Sequence, residues 1–103
     1  MKIKEVQINI ENVSSFEGLM DELHLHFGFL DGFGRNINAL IDCLSSLRFP
    51  EDEMTKLTLQ KDEVLLIKVK GFRDETYDVF GYLAIAVQDV NRLYQEKFGE
   101  SII

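Results

Sequence analysis

The chain has one cysteine, one proline and no apolar run long enough to cross a bilayer. A lone cysteine, Cys43, excludes an internal disulfide, which fits a reducing cytoplasm. The opening Met1-Lys2-Ile3-Lys4 alternates like a strand and leads into no apolar h-region, so no secretory signal peptide is expected. The longest apolar patches, near residues 79–87, fall far short of the roughly 20 residues a membrane span requires. Positive charge is also scarce. Eleven Lys and Arg stand against eighteen Asp and Glu, for a net charge of −7. Nucleic-acid binding draws most of its affinity from a basic footprint, so the acidity argues against that class. Two readings of the acidity stay open: it serves solubility alone, or it steers a basic protein partner.

Motifs for chemistry are missing as well. Ser14, Ser15, Ser45, Ser46 and Ser101 occupy no Gly-x-Ser-x-Gly elbow. His24 and His26 would point about 200° apart on a helix, so they cannot chelate one ion together, and no metal or cofactor is expected. Gly28, Gly32 and Gly34 lack the Gly-Lys-Ser/Thr and the leading strand of a phosphate cradle. Cys43 could serve as a nucleophile only if the fold brought His24 or His26 to it. In helical projection it falls at the edge of an apolar face, as a buried inert thiol would. No enzyme is expected.

What is present suits one globular domain spanning residues 1–103, with 46% apolar and 28% charged residues. Val6, Ile8 and Ile10 alternate with polar neighbours and predict a strand over Met1–Ile10; Ile3 is out of phase. Ser14 and Glu17 form a capping box for a helix with an apolar face at Phe16, Leu19, Met20, Leu23 and Phe27, stopping near Gly28. Pro50 with Glu51, Asp52 and Glu53 marks an exposed acidic connection. Two extended runs, Lys56–Leu59 and Val64–Lys70, read as a hairpin. The unbroken Val64-Leu65-Leu66-Ile67 suggests a strand covered on both faces. Thr76 begins a long helix to about Phe98, Gly99 stops it, and Ser101–Ile103 starts a last strand. Long helical crossovers between the main strands favour a parallel sheet.

The organising stretch is Phe29 to Leu44. A glycine-broken aromatic loop runs directly into a helix there. Asn36 occupies the N-cap position, and Ile37, Leu40, Ile41, Leu44 and Leu47 follow as one apolar face. Asn38, Asp42 and Ser45, at i, i+4 and i+7, form a polar stripe for water or a partner. Phe33, Gly34, Asn36, Ala39, Leu40, Asp42, Cys43 and Leu44 fit the pattern aromatic-Gly-x-Asn-x-x-Ala-Leu-x-Asp-Cys-Leu. In this pattern the chain resembles the barstar family, intracellular inhibitors of barnase-type ribonucleases.

The resemblance implies an α/β domain with a small, mainly parallel sheet of three to four strands packed against three or four helices. It implies an inhibitor or immunity protein that blocks the active site of a ribonuclease or similar basic toxin in the cytoplasm, with no nucleic acid and no membrane bound. The alternative is a non-inhibitory interaction or regulatory module on the same scaffold. Asp42 matches the family aspartate that takes the place of the substrate phosphate among the enzyme's cationic groups. The partner-binding set so implied is Phe33, Gly34, Arg35, Asn36, Asn38, Ile41, Asp42, Ser45 and Ser46. Three positions depart from the barnase inhibitor. Asn38 stands where it has a second contacting aspartate, Gly32 where it has a tyrosine, and Ile41 where it has a tryptophan. Tyr94, Gln95 and Glu96 lie near the position at which the resemblance implies a contacting glutamate. For Asp42 itself, a plain solvated helix position stays open.

Overall fold

The computed structural model describes residues 2–30 and 34–103. Strand β1 (Lys2–Asn9) and strand β2 (Glu63–Lys70) pair in parallel, Lys2 opposite Glu63 and Asn9 opposite Lys70. Helices α1 (Phe16–Phe27) and α2 (Ile37–Ser45) lie in the crossover between them, and α3 (Tyr77–Phe98) follows β2. Short 3-10 turns cover Pro50–Asp52 and Asp74–Thr76. The parallel α/β architecture is the expected one.

Val6 and Ile8 on β1 share a face with Ile67 and Val69 on β2, and this face meets the helices. Ile10 continues the buried row, whereas out-of-phase Ile3 is 64% exposed. On the same outer face Leu66 is exposed, so β2 is not covered on both sides as its unbroken apolar run suggests. All of the helical packing is on the inner face. There Leu19, Leu23 and Phe27 of α1, Leu40 and Leu44 of α2, and Leu83, Ala86 and Val90 of α3 close one core.

Among the described residues the sheet has two strands rather than three to four. The segment expected as a minor strand, Lys56–Leu59, does not pair with β2. Its Lys56 and Leu57 N–H groups donate to Phe27 O, and Leu59 N–H donates to Leu47 O at 2.7 Å. Beside it, Phe29 and Thr55 form an antiparallel bridge. The hairpin is therefore replaced by a brace against the end of α1 and the residues just after it, Gly28 to Leu30. The expected last strand is also reduced. Leu65 N–H donates to Ile102 O, but Ile102 and Ile103 are held chiefly by Asn91, whose Oδ1 accepts both their N–H groups.

Helix boundaries follow their caps. Ser15, not Ser14, caps α1, its Oγ accepting Gly18 N–H at 3.1 Å; glycine at that third position leaves no capping box. Asn36 caps α2 as expected, Oδ1 accepting Ala39 N–H at 2.8 Å. Gly28 and Gly99 end α1 and α3 in the left-handed conformation, at φ 68° and 75°. Thr76 precedes α3, but its buried hydroxyl turns back to accept Arg73 N–H instead of capping the helix.

Candidate functional site

Helix α2 is an amphipathic element held at both ends. Ala39, Leu40, Cys43 and Leu44 are buried, and Ile37 and Ile41 are half-buried against the core. Burying four such side chains contributes several kcal/mol, at about 25 cal/mol per Å² of apolar surface. The helix orientation is thereby fixed, and its opposite side is presented to solvent. Asn38 and Asp42 are both exposed on that side. Asp42 thus stands on a rigid element, one turn beyond Asn38, with its side chain free of the core.

The other site residues divide by what they touch. Arg35 is exposed but committed: its guanidinium donates to Glu17 O at 3.0 Å and pairs with Asp21, pinning the start of α2 to α1. Asn36 spends its side-chain oxygen on the cap. Gly34 lies against the Asn36 amide, where an added Cβ would sit 3.0 Å from Nδ2. Ser45 Oγ donates to Ile41 O at 2.7 Å. Ser46 is buried, and its hydroxyl contacts Asp42 O and Met54 Sδ. Ser45 and Ser46 therefore tighten the end of α2, while Asn38 and Asp42 face outward. Phe33 lies outside the described residues, as do Asp31 and Gly32.

The sulfur chemistry is quiet. Cys43 is fully buried, and burial first, then the nearby Asp42 carboxylate, pushes its thiol up to about 11. At neutral pH it is a protonated, inert thiol in the core. His26 bonds Glu22, one turn back on α1, at 3.1 Å. Among the described residues no group of three or more His, Cys, Asp or Glu side chains could hold a metal ion.

Two features of the site are not readable from spacing. Tyr94 on α3 donates its hydroxyl to Ser45 O at 2.6 Å, so the end of α2 is clamped to α3. Arg48, just past α2, is nine-tenths buried; it bonds Glu63 O at 2.7 Å and pairs with Glu100. Sequence separations of 49 and 52 residues hide both contacts. The only local signal is a basic residue just past a helix end, where it complements the free carbonyls.

A family model described as Barstar (barnase inhibitor) matches residues 3–98. The chain belongs to the barstar family. No curated protein and no solved structure matches it. Among the described residues the match takes in both strands and all three α-helices, apart from the first residue of β1, so it is not confined to the α2 motif. No helix among the described residues is long and apolar enough to cross a membrane.

Proposed function

We propose that this barstar-like protein is an intracellular inhibitor or immunity protein, not an enzyme, that occludes the active site of a ribonuclease or similar basic nuclease toxin. One observation carries this reading. The aspartate of the family motif, Asp42, is exposed on a helix whose other face is locked into the core. A carboxylate held outward on a rigid element can enter a cationic pocket with little ordering cost, as a phosphate would. Charge pairs of this kind can dominate an interface, and the barnase–barstar case belongs to this same family.

The partner is expected to differ from barnase. Asn38 is neutral, and half-buried Ile41 offers no large ring. Barnase itself should be inhibited weakly or not at all, which a ribonuclease titration measures directly. The decisive experiment pairs this chain with a basic nuclease encoded beside it, or with proteins captured from the native host. A stoichiometric complex on sizing chromatography, with loss of nuclease activity, is expected. Captured partners that carry no nuclease activity would replace inhibition with the interaction-module reading.

A further inference from the structure

The end of α3 comes back onto the residues just past α2 and closes a small cavity. Tyr94 and Phe98 lie at i and i+4, so they share one side of α3. Gly99 ends the helix in the left-handed conformation, and Glu100 then meets Arg48. Arg48, Phe49, Lys61, Tyr94, Phe98 and Glu100 line a cavity of about 330 Å³, a size that suits a small ligand. Residues 101–103 run on to Leu65 and Asn91 and do not line it. Three rings form its apolar wall, with centroids 5.3 Å apart for Tyr94 and Phe98 and 6.4 Å apart for Phe49 and Phe98. Phe98 is 56% exposed, so much of its ring is free to be covered. Two cations stand beside the rings. Lys61 is exposed and makes no ion pair or side-chain hydrogen bond among the described residues. Arg48 is nine-tenths buried. Its Nη atoms donate to Glu63 O and to Glu100, while its Nε–H is buried with no acceptor.

We propose that this cavity binds a small aromatic carboxylate, its ring laid on Phe98 and Phe49 and its carboxylate on Arg48 in place of Glu100. The site is separate from the α2 face and does not rest on the inhibitor reading. In a chain of net charge −7, a pocket with two cations and one carboxylate is locally positive. Glu100 stays at the rim when displaced, so the surplus is one charge, which a monoanion balances and a phosphate dianion exceeds. The guanidinium is a planar fork that bonds a carboxylate through two N–H groups at once. Glu100 is tethered to the chain and engages Nη1. An untethered carboxylate can also take up Nε–H, whose burial without an acceptor is unfavourable. The Glu100 side chain is 43% exposed, so it returns to water at little cost. The rings select the rest of the ligand. A flat apolar body on Phe98 and Phe49 gains burial and offset stacking that a bare carboxylate cannot supply.

The test uses the full chain, labelled with nitrogen-15, with phenylacetate as the probe and 2-phenylethanol, acetate and phenyl phosphate for comparison. Phenylacetate should shift the Arg48 Nε–H resonance and the Phe98 and Glu100 amides saturably, with a Kd of about 1 mM or tighter. The alcohol lacks the charge and acetate lacks the ring, so each should bind at least about tenfold more weakly. Lys61→Gln should weaken phenylacetate at least about threefold, and Glu100→Gln should tighten it by a similar factor because it removes the internal competitor. Glu17→Gln makes the same charge change on α1, outside the cavity, and should leave the affinity unchanged. Should Glu100→Gln unfold, Lys61→Gln and the ligand comparison decide. No saturable shift at Arg48, equal binding of 2-phenylethanol, or a folded Glu100→Gln that binds no tighter would overturn the inference. So would tighter binding of phenyl phosphate than of phenylacetate, since the occupant would then be a phosphate ester.

Discussion

Asp42 separates folding from binding at a single position. Its carboxylate is exposed and appears in no ion pair or side-chain hydrogen bond of the described residues. Asp42→Ala should therefore change folding stability by no more than about 0.5 kcal/mol. Against a cationic active site the same change should cost at least about 2 kcal/mol of binding. Asn38→Ala should cost less, because a neutral amide bonds a cation more weakly than a carboxylate does. Thermal melts and calorimetry on both variants check this, and unchanged binding by Asp42→Ala would remove the phosphate-mimic mechanism even if inhibition held. The residue next in sequence behaves oppositely. Cys43 has its pKa raised from 9.0 to about 11 in the fold. Between those values the unfolded chain loses the thiol proton and the folded chain keeps it. Stability is thus fully present below pH 9 and falls as pH rises, by up to about 1.4 kcal/mol per pH unit. Burial raises the Tyr94 hydroxyl as well, adding to the loss at higher pH. Denaturant unfolding from pH 8 upward should show this decline, and Cys43→Ala should flatten its lower part.

At the scale of elements, the helix ends differ in how firmly they are required. Gly28 and Gly99 both cap helices with positive φ. An added Cβ at Gly99 would meet nothing within 4 Å, whereas at Gly28 it would come within 2.7 Å of Lys56 Cβ. Gly99→Ala should cost about 1–2 kcal/mol, the left-handed penalty alone. Gly28→Ala should cost more, because it also pushes away the residues 54–57 brace that bonds Phe27, Gly28 and Leu30. Chemical denaturation of the two variants measures the difference.

For the whole molecule, net charge is the property a partner meets first. At −7 the chain should approach a basic protein faster than a neutral one would. Raising ionic strength toward 1 M shrinks the Debye length from about 10 Å to about 3 Å, so association should slow while dissociation changes little. Stopped-flow measurement of the association rate across a salt series checks this. A rate independent of salt would mean that electrostatic steering plays no part.

The sequence by itself determined the elements that rest on short-range chemistry. The Asn36 cap, the Gly28 and Gly99 stops and the outward pair Asn38 and Asp42 follow from side chains within a few residues of one another. Helical period and local capping depend on neighbours that are fixed by the covalent chain. The motif from Phe33 to Leu44 carries the family resemblance in its residue types alone, and the family model agrees over residues 3–98. Only the tertiary structure decided what depends on long-range pairing. Lys56–Leu59 and Val64–Lys70 have the spacing of a hairpin, yet the first segment bonds the end of α1 and Leu47 instead. Alternating apolar residues specify an extended backbone but not its partner, and competing carbonyl acceptors elsewhere, Phe27 O and Leu47 O, settle that choice. The apolar run in β2 likewise could not show that the helices would all lie on one side, leaving Leu66 in solvent. Ser46 reads as part of the same polar end of α2 as Ser45, but the packing of Met54 turns it inward.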